Sequence, residues 1–361
     1  MIAIYFTVLY IIVSCIFILI LLKILNNQSP PLNSNSLVTK FSMVVATKNE
    51  EDNLASLISA LSKIDYPKEN FEVIIVDDNS TDKTFTLATE LTSTLENFRV
   101  VKAENKKYEG KRGALDYGIE TAKNEYIIIT DADCVPGKNW LIRYKEKFNK
   151  EFDLIIGIAP FNQKQTLVNK VSCYENFRNT LLKILSVKIG LPYTATARNF
   201  GFNKKSFEKI EGYKNTTDTI SGDDDLLLRE AVKNKLKIGL LTSKDSFVYS
   251  ETKKLFRDYF SQRARHTQTS FHYLLKQTLF LFTWHSVNIA FLFSPLLAFI
   301  NLYFLLPFAV KLILDLLISV LFQHKINYKF SIIETIYLQF FYEIFLIVHL
   351  FNAKFNRIKW K

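Results

Sequence analysis

Residues 2–22 contain no charged side chain, and most of them are Ile, Leu, Val, Phe or Tyr. A run of 21 such residues is long enough to cross a hydrocarbon core of about 30 Å as one helix. A cleaved signal peptide would need a basic segment before the run and a small-residue cleavage site after it, and the sequence has neither. The nearest bases, Lys23 and Lys40, follow the run. The positive-inside rule then places the next domain in the cytoplasm.

Residues 278–351 are also mostly apolar and divide into stretches near 279–300, 302–322 and 331–351. Lys311 and Asp315 lie four apart in the second stretch, a spacing that lets them pair on one helix face away from lipid. The third stretch contains Glu334 and Glu343 and reads either as a span or as an interfacial helix. If all three stretches span, the basic tail with Lys354, Arg357, Lys359 and Lys361 ends outside, against the same rule. The third stretch is therefore the weakest span.

Between these segments the chain alternates strand and helix patterns. The expected strands are 42–46, 71–76, 98–101 and 125–130, and the expected helices are 51–63, 82–95 and 110–123. This β-α alternation implies a parallel sheet with helices on its faces. Beyond Trp140 the expectation is a helix to about residue 150, a strand at 153–158 and a helical stretch at 165–188. Strand and turn follow at 194–202, a helix at 223–234 and an amphipathic helix at 253–276. The domain reading is a transmembrane helix at 1–24, a linker at 25–40, and a catalytic domain at 41–252. After it come an interfacial helix at 253–276, two or three membrane or interfacial helices at 277–353, and a basic tail at 354–361.

The three cysteines, Cys15, Cys134 and Cys173, form no C-x-x-C pair, which argues against a disulfide framework or a thiolate metal site. The net charge of +11 suits an anionic membrane face or a phosphate-bearing substrate. No nucleic-acid motif accompanies it. The sequons at Asn79 and Asn215 fall in the expected cytoplasmic domain and are expected to be unmodified.

Four polar constellations lie at or beside carboxyl ends of the expected strands, where open parallel sheets bind ligands. They are Thr47-Lys48-Asn49-Glu50, Asp77-Asp78, Gly110-Lys111-Arg112-Gly113 and Asp131-Ala132-Asp133. A polar loop cap accounts for any one of them, but four on one rim are harder to dismiss. Asp131 and Asp133, about 6–7 Å apart at strand rise, can close on one hard divalent cation where the strand breaks into a turn. Lys111 and Arg112 can neutralise a diphosphate. Asp77 can accept from a base N–H and a ribose hydroxyl. Further on, Asp223-Asp224-Asp225 opens a helix. The helix dipole alone accounts for acids there, and a buried carboxylate in that place can also act as a general base. In the helix beyond, Gln262 and His266 continue a stripe through Leu255 and Tyr259, with Arg265 beside it.

In this order the motifs resemble those of membrane-associated family 2 glycosyltransferases of the GT-A fold, over residues 41–270. The resemblance implies an α/β catalytic domain, a nucleotide-sugar donor, usually UDP-linked, Mg²⁺ or Mn²⁺, and inversion at the anomeric carbon. It implies that Thr47, Glu50, Asp77 and its neighbour Asp78 contact the nucleoside. Lys111 would lie near the diphosphate or base, Asp131 near ribose and metal, and Asp133 on the metal. It makes Asp224 the base, with Asp223 the other register of the same motif. Gln262 and Arg265 would serve the diphosphate.

His266 stands on the acceptor side, where processive polysaccharide synthases of the family carry Trp. That departure favours transfer to a lipid-linked or membrane-proximal glycan acceptor over a processive synthase. A nucleotidyltransferase would carry a Gly-rich loop after the first strand, where Thr47-Lys48-Asn49-Glu50 stands instead. A catalytically dead scaffold would not need all the motif acids. The expected location is the plasma (inner) membrane, with the catalytic domain facing the cytoplasm.

Overall fold

The computed structural model describes residues 2–26 and 38–355. Most of the expected linker at 25–40, and the tail beyond residue 355, lie outside the described residues. In chain order the helices and strands are α1 Ile2–Leu25, β1 Phe41–Thr47, α2 Glu51–Ser62, β2 Phe71–Asp77, α3 Thr84–Thr92 and β3 Phe98–Lys102. Then follow α4 Gly110–Thr121, β4 Tyr126–Ile129, β5 Cys134–Pro136, α5 Trp140–Phe148, β6 Leu154–Gly157 and α6 Leu167–Lys188. Next come β7 Phe200–Asn203, α7 Lys204–Lys209, α8 Asp223–Lys233, β8 Ile238–Leu241 and β9 Val248–Ser250. The chain continues with α9 Phe256–Ser270, α10 Leu275–Phe293, α11 Leu305–Phe322 and α12 Ile332–Phe355. These elements form two units.

The first unit comprises residues 38–162 and 192–251. Its main sheet has seven strands in the order β3-β2-β1-β4-β7-β6-β8. All neighbours are parallel except β7, which runs antiparallel to both β4 and β6. The central strands are continuous apolar runs because both sheet faces are covered, and β2 is buried at every position. On one face Met43, Val45, Ile75 and Ile128 join a core with Leu54, Leu57, Trp140 and Tyr144. Helix α4 packs at Gly118, where a Cβ would stand 2.5 Å from Val44 and 2.8 Å from Val76. The parallel register sets Thr47 opposite Asp77 at the rim. A two-stranded ribbon of β5 and β9 pairs Cys134 with Ser250.

The sequence reading located most of these elements but did not see β5, β8, β9 or α7, nor the reversal of β7. It also expected a helix beginning at residue 82. Instead Ser80 Oγ accepts from the Asn49 amide at 3.0 Å, and the Thr81 amide donates to Asn49 Oδ1 at 2.8 Å. The helix begins at Thr84, whose amide donates to Asp82 Oδ1 at 2.9 Å.

The second unit holds α1, α6 and α9–α12. Four of its segments, at Ala3–Leu25, Leu275–Leu297, Leu302–Ile326 and Ile332–Phe355, are long and apolar enough to cross a membrane. The sequence reading placed residues 163–191 in a continuous domain over 41–252, whereas the structure groups them with these helices. The reason lies in the polar side chains of α6, which find partners there. Arg178 pairs with Asp315 at 2.5 Å, Lys170 with Glu334 at 2.7 Å, and Glu175 with Arg263 at 2.8 Å. The Tyr342 hydroxyl donates to Asn179 Oδ1 at 3.1 Å.

The expected pair of Lys311 and Asp315 forms at 2.6 Å. Lys311 also meets Glu343 at 3.2 Å and Asn288 Oδ1 at 3.3 Å. Charges buried this deeply persist only when paired. Helix α9 ends at Ser270, short of the expected residue 276. Its buried side runs through Tyr259, Ala264 and Thr269, while Leu255 and His266 are exposed. The expected stripe through Leu255, Tyr259, Gln262 and His266 is therefore not the packed one. Tyr259 and Arg263 are drawn instead to Glu175, with the Tyr259 hydroxyl donating to its carboxylate at 2.7 Å.

Candidate active site

The parallel register of β1 and β2 brings the first two constellations together. Thr47 is buried, with its hydroxyl donating to the Val76 carbonyl at 3.2 Å, and the Asp78 amide donates to the Thr47 carbonyl at 2.8 Å. Asp77 is buried. One of its oxygens accepts from the Ser80 amide at 3.3 Å, and the other, Oδ1, has no hydrogen-bond partner among the described residues. A buried carboxylate oxygen without a donor is costly, so this one is an acceptor suited to a ligand N–H or O–H. Asp78 is ion-paired with Lys106 and lies 4.0 Å from Lys48. The carboxylate of Glu50 accepts from Asn53 in the first turn of α2 at 2.6 Å, and the Glu50 amide donates to Thr84 Oγ1 at 2.8 Å. Asn79 and residues 103–110 line an open groove of about 630 Å³ beside this rim.

At the head of α4, the Lys111 ammonium pairs with Asp131 at 2.5 Å. Burial acts to depress its pKa, but Asp131, Asp223 and Asp224 outweigh that and raise it well above the ordinary lysine range. Lys111 therefore stays charged, and its surroundings bring the D-x-D pair and the acidic helix start into one place. Arg112 is buried and donates to the Thr219 carbonyl at 2.8 Å, steadying the loop before α8.

That loop enters α8 through Gly222, whose φ of +81° is a left-handed conformation that favours glycine. The three acids that follow are used differently. Asp225 accepts from Thr194 Oγ1 at 2.9 Å and from the Ala195 amide at 2.8 Å. Asp224 accepts from the Ala197 amide at 2.7 Å through one oxygen and from the Asp225 amide at 3.0 Å through the other. Burial first, and then the neighbouring Asp223, push the Asp224 carboxyl above the usual range against the pull of Lys111. Asp223 is buried, and Asp224 is partly exposed.

Asp131, Asp133 and Cys134 offer donor atoms within 4.8 Å of one another. The Asp133 carboxyl is open to solvent, yet protein surrounds it closely. Burial and then the charge of Asp131 raise its pKa, while Arg198 pulls the other way. The Cys134 thiol is pushed up by burial and by both aspartates, so it stays protonated. Two carboxylates fit a hard cation such as Mg²⁺ or Mn²⁺, whereas a neutral thiol does not.

Residues 42–211 match the model of glycosyl transferase family 2. The chain carries a family 2 glycosyltransferase domain. Its mostly parallel sheet with flanking helices is the GT-A fold. A mannosyltransferase from Pyrobaculum calidifontis, solved with GDP-Man and Mn²⁺, shares that fold at a TM-score of 0.60, with 98% of each chain covered and 16% identity. A beta-monoglucosyldiacylglycerol synthase from Nostoc sp. is 36% identical over 110 residues, which are 30% of this chain and 24% of that one. A dolichyl N-acetyl-alpha-D-glucosaminyl phosphate 3-beta-D-2,3-diacetamido-2,3-dideoxy-beta-D-glucuronosyltransferase from Methanococcus voltae is 29% identical over 147 residues, 40% of this chain and 43% of that one. The match thus spans less than half the length of either relative.

Within the first unit the structure gathers Lys111, Asp131, Asp223 and Asp224, and sets Thr47 beside Asp77 and Asp78. Gln262, Arg265 and His266 lie on α9, in the other unit. Two residues that sequence reasoning did not single out support the site. Arg198 acts on the charge of Asp133. Asn199 is fully buried. Its amide donates to the carbonyls of Ile158 and Ser246, and its oxygen accepts from Trp140 Nε1 and Tyr144 OH, all four at 2.9 Å. Neither residue belongs to a motif visible in one sequence, because every partner is distant along the chain.

Proposed function

We propose that this protein transfers a sugar from a nucleotide-sugar donor, UDP-linked, to a lipid-linked or membrane-proximal glycan acceptor, with inversion at the anomeric carbon. The observation that carries the reading is the convergence on Lys111 of the D-x-D pair and the acidic start of α8. The Nostoc relative, named for a glucosyl lipid product, and the Pyrobaculum mannosyltransferase, solved with a nucleotide sugar, support the same class. The apolar helices support attachment to the membrane, and the bases Lys23 and Lys40 after the first of them support a catalytic unit on the cytoplasmic side.

Asp77 Oδ1 receives a donor group of the nucleoside beside Thr47 and Asp78. Lys111 holds positive charge where the diphosphate lies. Asp131 and Asp133 would hold Mg²⁺ or Mn²⁺, which supplies further neutralisation of the leaving diphosphate. The acceptor oxygen attacks the anomeric carbon in line. The bond from that carbon to the phosphate oxygen breaks with its electron pair, which leaves with the nucleoside diphosphate. The proton of the acceptor hydroxyl passes to the Asp224 carboxylate. A raised pKa makes that carboxylate a stronger base than an exposed aspartate.

One experiment tests the assignment and its register. Asp224→Asn is expected to abolish transfer, measured as nucleoside diphosphate release from a panel of UDP- and GDP-sugars, while nucleotide binding survives. Asp223→Asn is expected to leave turnover measurable. A base must be ionised, so activity falls as pH drops through the pKa of Asp224. Removing the Asp223 charge removes one cause of its elevation, and the acid limb of the pH profile moves to lower pH. Full activity in Asp224→Asn, or its loss in Asp223→Asn alone, would overturn the assignment.

A further inference from the structure

Arg198 occupies the middle of the turn Ala197–Asn199. Both neighbours are committed, Ala197 through its amide to Asp224 and Asn199 to the core. The Arg198 carbonyl accepts from Thr130 Oγ1 at 2.9 Å, one residue before Asp131. The backbone of this turn therefore bridges the D-x-D loop and the start of α8. The side chain runs along the small ribbon. Its Nη1 donates to Ser250 Oγ at 2.5 Å, and Ser250 is the strand partner of Cys134. The guanidinium lies 4.4 Å over the Phe161 ring. A hydrogen bond and a ring face fix its plane, while Nε and Nη2 have no hydrogen-bond partner among the described residues. The residue is partly exposed.

A guanidinium held this way presents a planar fork of donors, the shape that matches phosphate and carboxylate oxygens. On the reading above, Lys111 and the Asp131 and Asp133 site already meet the donor's diphosphate. Arg198 shares its turn with the amide that holds Asp224, the group to which the acceptor hydroxyl must come. We propose that Arg198 binds an anionic oxygen group, phosphate or carboxylate, carried by the acceptor next to its reacting hydroxyl. This rests on the transfer reading.

The test uses the full chain in detergent micelles and needs no turnover. Calorimetry with UDP or GDP and Mn²⁺ measures nucleotide binding. With nucleotide present, decyl phosphate, decanoate and decyl glucoside are then compared as acceptor-side probes. The wild type is expected to bind an anionic probe about ten-fold more tightly than decyl glucoside, the scale of one hydrogen bond to a charged group. At saturating nucleotide and Mn²⁺, Arg198→Gln is expected to remove that preference and Arg198→Lys to keep part of it. A preference for decyl phosphate points to a phosphate-bearing acceptor such as a lipid phosphate, and one for decanoate to an acidic glycan. Equal anion binding in wild type and Arg198→Gln overturns the proposal. So does an equal loss of nucleotide affinity, which would make Arg198 a donor residue. A chain that prefers the anion through Arg198 yet binds neither nucleotide would sink the transfer reading alone.

Discussion

Gly157 ends β6 directly against the Asn199 amide, and Gly157→Ala tests how much the site depends on that contact. A Cβ at 157 would stand 2.1, 2.2 and 2.3 Å from Cγ, Nδ2 and Oδ1 of Asn199. No real Cβ tolerates such distances, so the amide must leave. Its departure breaks four buried hydrogen bonds, to Trp140, Tyr144, Ile158 and Ser246. At about 1–2 kcal/mol for each group left unsatisfied, the loss is about 4–8 kcal/mol, a large share of a domain's stability. The turn that presents Ala197 to Asp224 loses its anchor at the same time. Native-state hydrogen exchange of the β6 and β7 amides measures the opening free energy locally, which suits a chain with two units. Asn199→Ala should weaken the same amides by a similar amount without any clash. Because alanine lacks the three atoms that collide, Gly157→Ala added to Asn199→Ala should cost little more. Strict additivity of the two changes, or wild-type protection in Gly157→Ala, would refute the argument.

Two further outcomes follow from buried charge. The Asp116 carboxyl is raised to about 6, first by burial and then by Glu120, so the folded state holds its proton more tightly than the unfolded chain does. Stability is lost as pH rises from about 4 to 6 and stays lost above that, and Asp116→Asn should restore about 1–2 kcal/mol at pH 7.5 after allowance for screening. Thermal unfolding at both pH values checks this, since the gain should vanish at pH 4. In the helical unit, Lys311→Met leaves Glu343 without its ion-pair partner and should destabilise by about 3–5 kcal/mol. Adding Glu343→Gln should recover part of that loss in detergent thermal melts, and no recovery would show that the pair does not carry the effect.

What could be read from sequence was local. Continuous apolar runs such as residues 71–76 announce buried strands, and acids or glycines directly after them announce the rim. The reversal of β7 was not visible, because its four residues carry no sign of direction. Strands β5 and β9 have three residues each, too few for any periodicity. Helix α6 looked soluble because Lys170, Glu175 and Arg178 are charged, and their partners Glu334, Arg263 and Asp315 lie between 88 and 164 positions away. The same holds for Arg198 and Asn199, whose roles come from pairing across the fold.

The run Asp223-Asp224-Asp225 shows how position separates chemically identical residues. A helix start favours all three acids equally, so the dipole cannot assign them roles. Hydrogen bonding can. Asp225 takes a backbone and a side-chain donor from Thr194 and Ala195 on a single oxygen, the bonding of a residue that holds a loop. Asp224 accepts one backbone amide on each oxygen, which fixes its carboxyl plane without giving it a cation of its own. Its elevation comes first from burial, and Asp223 adds to it by like-charge repulsion. Lys111 limits how far the elevation goes, and Lys111 is itself held by Asp131.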